Sequence, residues 1–145
     1  MTFSGGCQCG AVRFAAEAIG EVLICHCRMC QKATGGLYAP TADVTGLVWT
    51  RGAPAHFQSS NLARRGHCAD CGTPLTYEAD DYVNIMLGAF DDPGAIAPQL
   101  QIGLQGKLPY TDGVPDLPHR NGAAQADADV FLAAVVSNQH PDHDT

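Results

Sequence analysis

Apolar residues along the 145-residue chain come in short bursts, each soon interrupted by glycine, proline, asparagine or aspartate. Runs of that length bounded by turn residues predict strands rather than helices. The expected strands are Ala11–Ala15, Val22–Cys25, Leu37–Val44, Ala55–Gln58, Arg65–Cys68, Leu75–Glu78, Tyr82–Leu87 and Leu100–Leu104. Helical patterning is convincing only near the end, where ADADVFLAAVV (126–136) has acidic residues in its first turn and good helix formers after them. RMCQKA (28–33) adds a short helical turn, and the polar stretch from Ser137 to Thr145 is expected to fray. The pattern therefore predicts one mainly β domain with a short C-terminal helix, without internal repeats or an interdomain linker.

Composition narrows the function classes. Sixteen glycines and nine prolines suit a turn-rich β protein, and 46% hydrophobic residues suffice for a modest core. No apolar run approaches the roughly 18 residues of a membrane span. The N-terminal MTFSGGCQCG has neither a basic region nor an apolar stretch of the secretory kind, which predicts a cytoplasmic protein. The formal net charge is −7, a poor match to phosphate backbones, so nucleic acid is not expected as a partner.

The seven cysteines change the picture most. They fall in three clusters: Cys7 and Cys9 in GGCQCG, Cys25, Cys27 and Cys30 in CHCRMC, and Cys68 and Cys71 in CADCG. A disulfide framework needs an oxidising compartment and favours an even count, and an isolated CxxC redox pair leaves five cysteines without a role. Zinc accounts for all seven. A structural ion takes four protein ligands, whereas a catalytic one takes three and keeps a position open, and seven divides as four and three. CADCG reads as a zinc knuckle, its glycine freeing the turn for backbone amides to face the thiolates. Spacing alone lets either CxC pair complete that site. Pairing Cys7 and Cys9 with Cys68 and Cys71 leaves the compact trio Cys25, Cys27 and Cys30 together, and is the preferred division. With two zinc ions and seven thiolates the formal charge becomes about −10.

These segments carry a resemblance. GGCQCGAVRF, CHCRMCQKATGG and RRGHCADCGTPLTY, in this order, resemble the glutathione-dependent formaldehyde-activating enzyme family, which includes centromere protein V. GAFDDPGAIAPQLQIGLQGKLPYTDGVPDLP is similar to the family's later half, so the likeness runs from about Gly5 to about Pro118. The resemblance implies a β-tent fold of several small coiled antiparallel sheets around a structural zinc. It divides the chain into a zinc domain over residues 1–122 and a helix with a flexible tail over 123–145. It also implies the same two ligand sets and an activity of carbon–sulfur lyase type, adding glutathione to formaldehyde to give S-hydroxymethylglutathione. Small thiol and small carbonyl are then the expected partners, with no membrane. The chain departs from the family pattern at His67, where an aromatic residue often precedes the first knuckle cysteine, and at Tyr110, where a tryptophan follows LP.

The chemistry suits such a trio. Three thiolates make a zinc ion a weak Lewis acid toward carbonyls, yet it still takes a fourth thiolate and lowers that thiol's pKa. The contrasting reading is a zinc-stabilised β-tent binding module without catalysis, for which an open site has no purpose. Methionine sulfoxide reduction on the same fold needs a cysteine outside the ligand sets, and none follows Cys71. Arg28 and Lys32, with Arg64 and Arg65, flank the clusters and are candidates to hold the carboxylates of glutathione or to offset thiolate charge. His26 lies between two ligands, but alternation turns it away from them, toward a supporting or exposed position. His67 reads as a strand residue, His119 as a surface-loop residue that could face the pocket, and His140 and His143 as solvated. Gly35 and Gly36 are expected to turn the chain closely past the second metal.

Overall fold

The computed structural model describes residues 2–145. Ten strands follow in chain order: β1 (Phe3–Gly6), β2 (Arg13–Ala16), β3 (Ala18–Cys25), β4 (Ala39–Thr45), β5 (Val48–Arg51), β6 (Ala55–Gln58), β7 (Arg64–His67), β8 (Pro74–Glu78), β9 (Val83–Met86) and β10 (Leu100–Ile102). Helix α1 (Arg28–Thr34) lies between β3 and β4, and α2 (Gly122–Ala133) comes near the end. The strands form a small sheet, β1-β2-β5, and a large one, β10-β3-β4-β9-β8-β7-β6. The mainly β class with a short C-terminal helix is thus the one observed. Pairing is antiparallel except for β10, which joins β3 in parallel through Leu100–Leu23 and Ile102–Cys25.

Two-residue alternation sorts the large sheet into two faces. Ala42 and Val44 of β4 and Ile85 of β9 enter the main core with Phe14, Val22 and Leu75. Thr41, Asp43, Asn84 and Met86, their alternating neighbours, face a cavity on the other side. Phe14 is fully buried and meets Trp49 and Phe90 edge-on, at ring separations of 6.1 and 5.4 Å.

Two strands lay outside the expected set. β1 (FSGG) has one large apolar residue, and β5 (VWTR) is cramped between Gly46 and Gly52, both at positive φ. Both form because β2 offers a ladder on each edge. β3 also starts four residues before the expected Val22, across a register shift between Ile19 and Val22. α2 begins at Gly122, earlier than its sequence signal, and buries none of its residues. No helix among the described residues is long and apolar enough to cross a membrane.

The tail, expected to fray, returns to the small sheet. His140 N–H donates to the Gln8 carbonyl at 2.7 Å, and Arg51 reaches the Thr145 backbone oxygen at 2.6 Å. Asp144 meets Arg13 at 2.9 Å, but Arg13 has a stronger partner. Arg13, 3% exposed, forms a two-pronged pair with Asp91 at 2.8 and 2.7 Å, and Ser4 Oγ donates to the same carboxylate at 2.7 Å. Burial pushes the Asp91 pKa up, but the hydrogen bonds from Arg13 and Ser4 outweigh it and hold the group below the ordinary carboxylate range. A depressed native pKa contributes stability that is present above the unfolded value and fades as pH falls through the native one. Asp91→Asn is expected to cost about 3 kcal/mol, because it strands a buried guanidinium, and to flatten the acid limb of a melting-temperature profile below about pH 4. Asp144→Asn, at an exposed partner, is expected to cost less than about 1 kcal/mol in the same melts.

Candidate metal centres

Two matching turns build the four-cysteine cluster. Cys7 leaves β1 and Cys68 leaves β7, so the cluster ties the small sheet to the large one. In the first turn Gly10 N–H donates to the Cys7 carbonyl at 3.0 Å and Cys7 N–H to the Val12 carbonyl at 2.9 Å. In the second, Gly72 N–H donates to the Cys68 carbonyl at 3.0 Å and Cys68 N–H to the Thr73 carbonyl at 2.9 Å. Gly10 and Gly72 sit at φ +79° and +76°, the left-handed conformation that lets each loop reverse. GGCQCG is thus a knuckle in its own right, which its CxC spacing disguises.

The four sulfurs lie within 4.8 Å of one another. Sulfur separations of 3.6 Å for Cys7–Cys9 and 3.8 Å for Cys9–Cys68 match the edge of about 3.8 Å set by a tetrahedral ion with bonds of about 2.3 Å. Val12 N–H donates to Cys7 Sγ at 3.2 Å, the kind of amide contact a thiolate ligand receives. Cys71 is pushed up by burial, but hydrogen bonds from Thr73 and Cys9 bring its pKa down to about 6. Cys9 gains from the Ala11 amide, yet its contacts with Cys71 and the other thiols, with burial, drive it up to about 12. One low thiol served by its neighbours is an arrangement that a divalent cation converts to four thiolates, releasing protons.

The second cluster is Cys25, Cys27 and Cys30, again with sulfurs within 4.8 Å. Cys25 ends β3, Cys27 caps α1, and Cys30 lies in its first turn. Cys30 N–H donates to Cys27 Sγ at 3.4 Å, so a sulfur fills the place that serine or aspartate takes at most helix starts. Burial raises the Cys27 pKa, but the Cys30 amide and the Cys30 and Cys25 thiols lower it overall. Burial dominates at Cys25 and pushes it up to about 12.

A segment from the later half of the chain closes over this trio. A Cβ at Gly103 would fall 2.9 Å from Cys27 N and 3.4 Å from Cys25 Sγ, and one at Gly106 would fall 2.6 Å from the His26 carbonyl oxygen. These two glycines, rather than Gly35 and Gly36, allow the close approach to the trio. Gly35 instead ends α1 at φ +71°, its N–H donating to the Gln31 carbonyl, and Gly36 meets Tyr38 and Thr34. His26 is 1% exposed, with Nε2 2.9 Å from Gln101 Oε1 and its N–H on the Ile102 carbonyl at 2.9 Å. Gln31 Nε2 donates to the carbonyls of His26 and Gly106, both at 2.9 Å. His26 and Gln31 together pin the segment and support the trio without joining it.

Arg65 reaches the trio from β7. Its Nη2 donates to Cys30 Sγ at 3.3 Å, its Nε donates to Ser59 Oγ at 3.0 Å, and its guanidinium lies 4.9 Å from the Tyr77 ring centroid. Burial raises the Tyr77 pKa, so its phenol stays protonated. Arg28 and Lys32 are exposed on α1 and outside the cavity lining, and Arg64 pairs with Glu78 at 2.7 Å. His67 is a strand residue as expected, His119 is exposed, and His140 leans on Gly10 rather than standing in solvent.

The trio opens on a cavity of about 460 Å³, lined also by Leu23, Met29, Thr41, Met86, Ile102 and the Tyr77–Tyr82 stack. A second cavity, of about 450 Å³, borders Cys7 and Cys71, whose cluster already has four donors and no position to spare. A mainly β scaffold with a four-cysteine and a three-cysteine cluster, the latter open to a cavity, defines a class: β proteins with two clusters that could hold metal ions. Within that class the family model for the glutathione-dependent formaldehyde-activating enzyme matches residues 2–105, and the chain belongs to that family. A crystal structure of a Rhodobacter sphaeroides protein shares the fold, with a TM-score of 0.54 and 21% identity over 68% of this chain and 99% of that one.

Proposed function

We propose that this protein is a zinc-dependent enzyme of carbon–sulfur lyase type that joins a small thiol, glutathione foremost, to formaldehyde or a similar small carbonyl compound. Cys7, Cys9, Cys68 and Cys71 hold a structural ion in this reading, and Cys25, Cys27 and Cys30 hold the catalytic one. The observation that carries it is the trio itself: three convergent sulfurs, no fourth ligand in the group among the described residues, and a cavity on their open side. Membership of the family supports glutathione and formaldehyde as the substrate pair.

Zinc bound at such a trio supplies a fourth position where a thiol loses its proton readily. The overall step forms one carbon–sulfur bond, moves the carbonyl electron pair onto oxygen and leaves the thiol's proton there, with nothing oxidised or reduced. The chain's part is chiefly to place the two reactants together. Arg65 offsets the charge of Cys30, and His26 and Gln31 keep the covering segment in register. Arg28 and Lys32, outside the cavity lining, contribute long-range attraction for an anionic thiol.

Protein prepared without chelators is expected to carry nearly two zinc ions per chain. Exchange of the accessible ion for cobalt then tests the mechanism, because thiolate-to-cobalt charge-transfer bands should change as glutathione is added. Bands that ignore glutathione and every other small thiol at millimolar levels would remove thiol activation and leave a zinc-bound module.

A further inference from the structure

Strand register decides which side chains stand next to the trio. Leu23 lies two residues before Cys25 on β3 and so shares its face. Leu23 pairs with Thr41 on β4, and Thr41 with Met86 on β9, which makes Leu23, Thr41 and Met86 one row across the sheet. Met86 forms a small apolar cluster with Cys30 and Ala39, against which Cys25 and Cys27 pack. Ile102, paired with Cys25 from β10, and Met29, beside Cys30 on α1, line the same cavity. Apart from Arg65 at Cys30, the charged members of the wall are Glu21 and Asp43, one step further along β3 and β4 from the sulfurs. The surface nearest the trio is therefore apolar, with Thr41 as its polar member.

Much of that surface lies open. Met29, Ile102 and Tyr82 are 55%, 44% and 45% exposed, and all three border this one cavity. Large apolar side chains gathered around a concave opening mark a surface that a ligand covers. A carbonyl carbon joined to a sulfur at the trio would carry its substituent against this wall. Formaldehyde has no substituent to place there. Its two heavy atoms also fill little of about 460 Å³, set against the roughly 30 Å³ that one water takes in the liquid.

We propose that the cavity selects, as carbonyl partner, an aldehyde bearing an apolar chain or ring of several carbons, held by Leu23, Met29, Met86 and Ile102 beside the sulfur it joins. Selection works through burial: each methylene taken fully out of water tightens binding about fourfold. The step balances for any aldehyde, since one carbon–sulfur bond forms, the carbonyl electron pair moves onto oxygen and the thiol's proton ends there. This assignment of the carbonyl class rests on the thiol-activation reading, but the apolar subsite can be measured apart from it.

The experiment uses titration calorimetry on zinc-loaded protein with S-methyl-, S-propyl- and S-pentylglutathione, unreactive stand-ins for adducts of aldehydes of increasing length. Affinity is expected to rise at least about tenfold from S-methyl to S-pentyl, less than four fully buried methylenes would give because the wall is partly open. In Met29→Ser/Ile102→Ser, both exposed positions that fold should tolerate, the gain with chain length should collapse, and Ile102→Leu should retain it. In a second arm, the acceleration of glutathione addition over the spontaneous rate should be greater for pentanal than for formaldehyde. A flat affinity series, a gain that the folded double variant leaves intact, or no binding of any thioether at millimolar concentration would overturn the proposal. Acceleration confined to formaldehyde would overturn it while leaving thiol activation standing. A gain with chain length beside a cobalt spectrum indifferent to thiols would uphold the apolar subsite and defeat thiol activation.

Discussion

Cys71→Ser is expected to unfold the domain. Cys71 completes a cluster whose members Cys7 and Cys68 are 4% and 1% exposed and belong to the main hydrophobic core. Loss of a structural zinc site removes on the order of 10 kcal/mol, which rivals the roughly 5–15 kcal/mol that keeps a whole domain folded. The small sheet would also lose its tie to the large one, since Cys7 and Cys68 follow strands of different sheets. Circular dichroism melts should show no cooperative transition near that of the wild type, and chelation of both ions should reproduce the loss. A variant that melts cooperatively close to the wild type would show that this cluster is not the structural site.

Cys27→Ser is expected to do the opposite, sparing the fold and abolishing the chemistry. Serine is among the best helix-capping residues, so the hydroxyl can take over the contact that Cys27 Sγ makes with Cys30 N–H. It cannot replace a soft thiolate donor. Altering residues that merely support a metal ligand costs about 10–100-fold, so loss of the ligand itself should exceed about 100-fold in activity. Metal content should fall by one ion per chain, with the melting temperature little changed. Cys30→Ser should be less well tolerated than Cys27→Ser, because Cys30 is 8% exposed and receives Arg65 Nη2. It should still melt far above Cys71→Ser, and melts ranking the trio variants below Cys71→Ser would exchange the roles assigned to the two clusters.

The cysteine clusters were legible in the chain because the spacing of candidate metal ligands is largely local. CxCxxC brings three sulfurs together within one strand end and one helical turn, and the glycine of CADCG marks its knuckle without reference to the rest of the fold. The partner of that knuckle was a preference rather than a deduction, since either CxC pair satisfies four-coordination. Most strands also announced themselves through short apolar runs between turn residues. β1 and β5 did not, because their pairing with β2 stabilises sequences whose own strand propensity is weak. The end of the chain misled for a similar reason: nothing local to Asp144 or Thr145 reveals that Arg13 and Arg51 await them.

The surroundings of the trio depend on register, which no local pattern states. Arg65 stands 35 residues from Cys30, and among four flanking cations only the sheet order distinguishes it from Arg28, Lys32 and Arg64. Gly103, inside an expected strand, and Gly106 carry no local sign of their role until the parallel pairing of β10 with β3 carries the following segment over Cys27. The sequence by itself determined the three local cysteine clusters, because sulfurs a few residues apart converge through local geometry alone, whereas the meeting of the Cys7 and Cys68 turns came from the sheets. Only the tertiary structure decided what a molecule at the open position meets, because that wall is assembled from strands whose order and alignment are properties of the whole sheet.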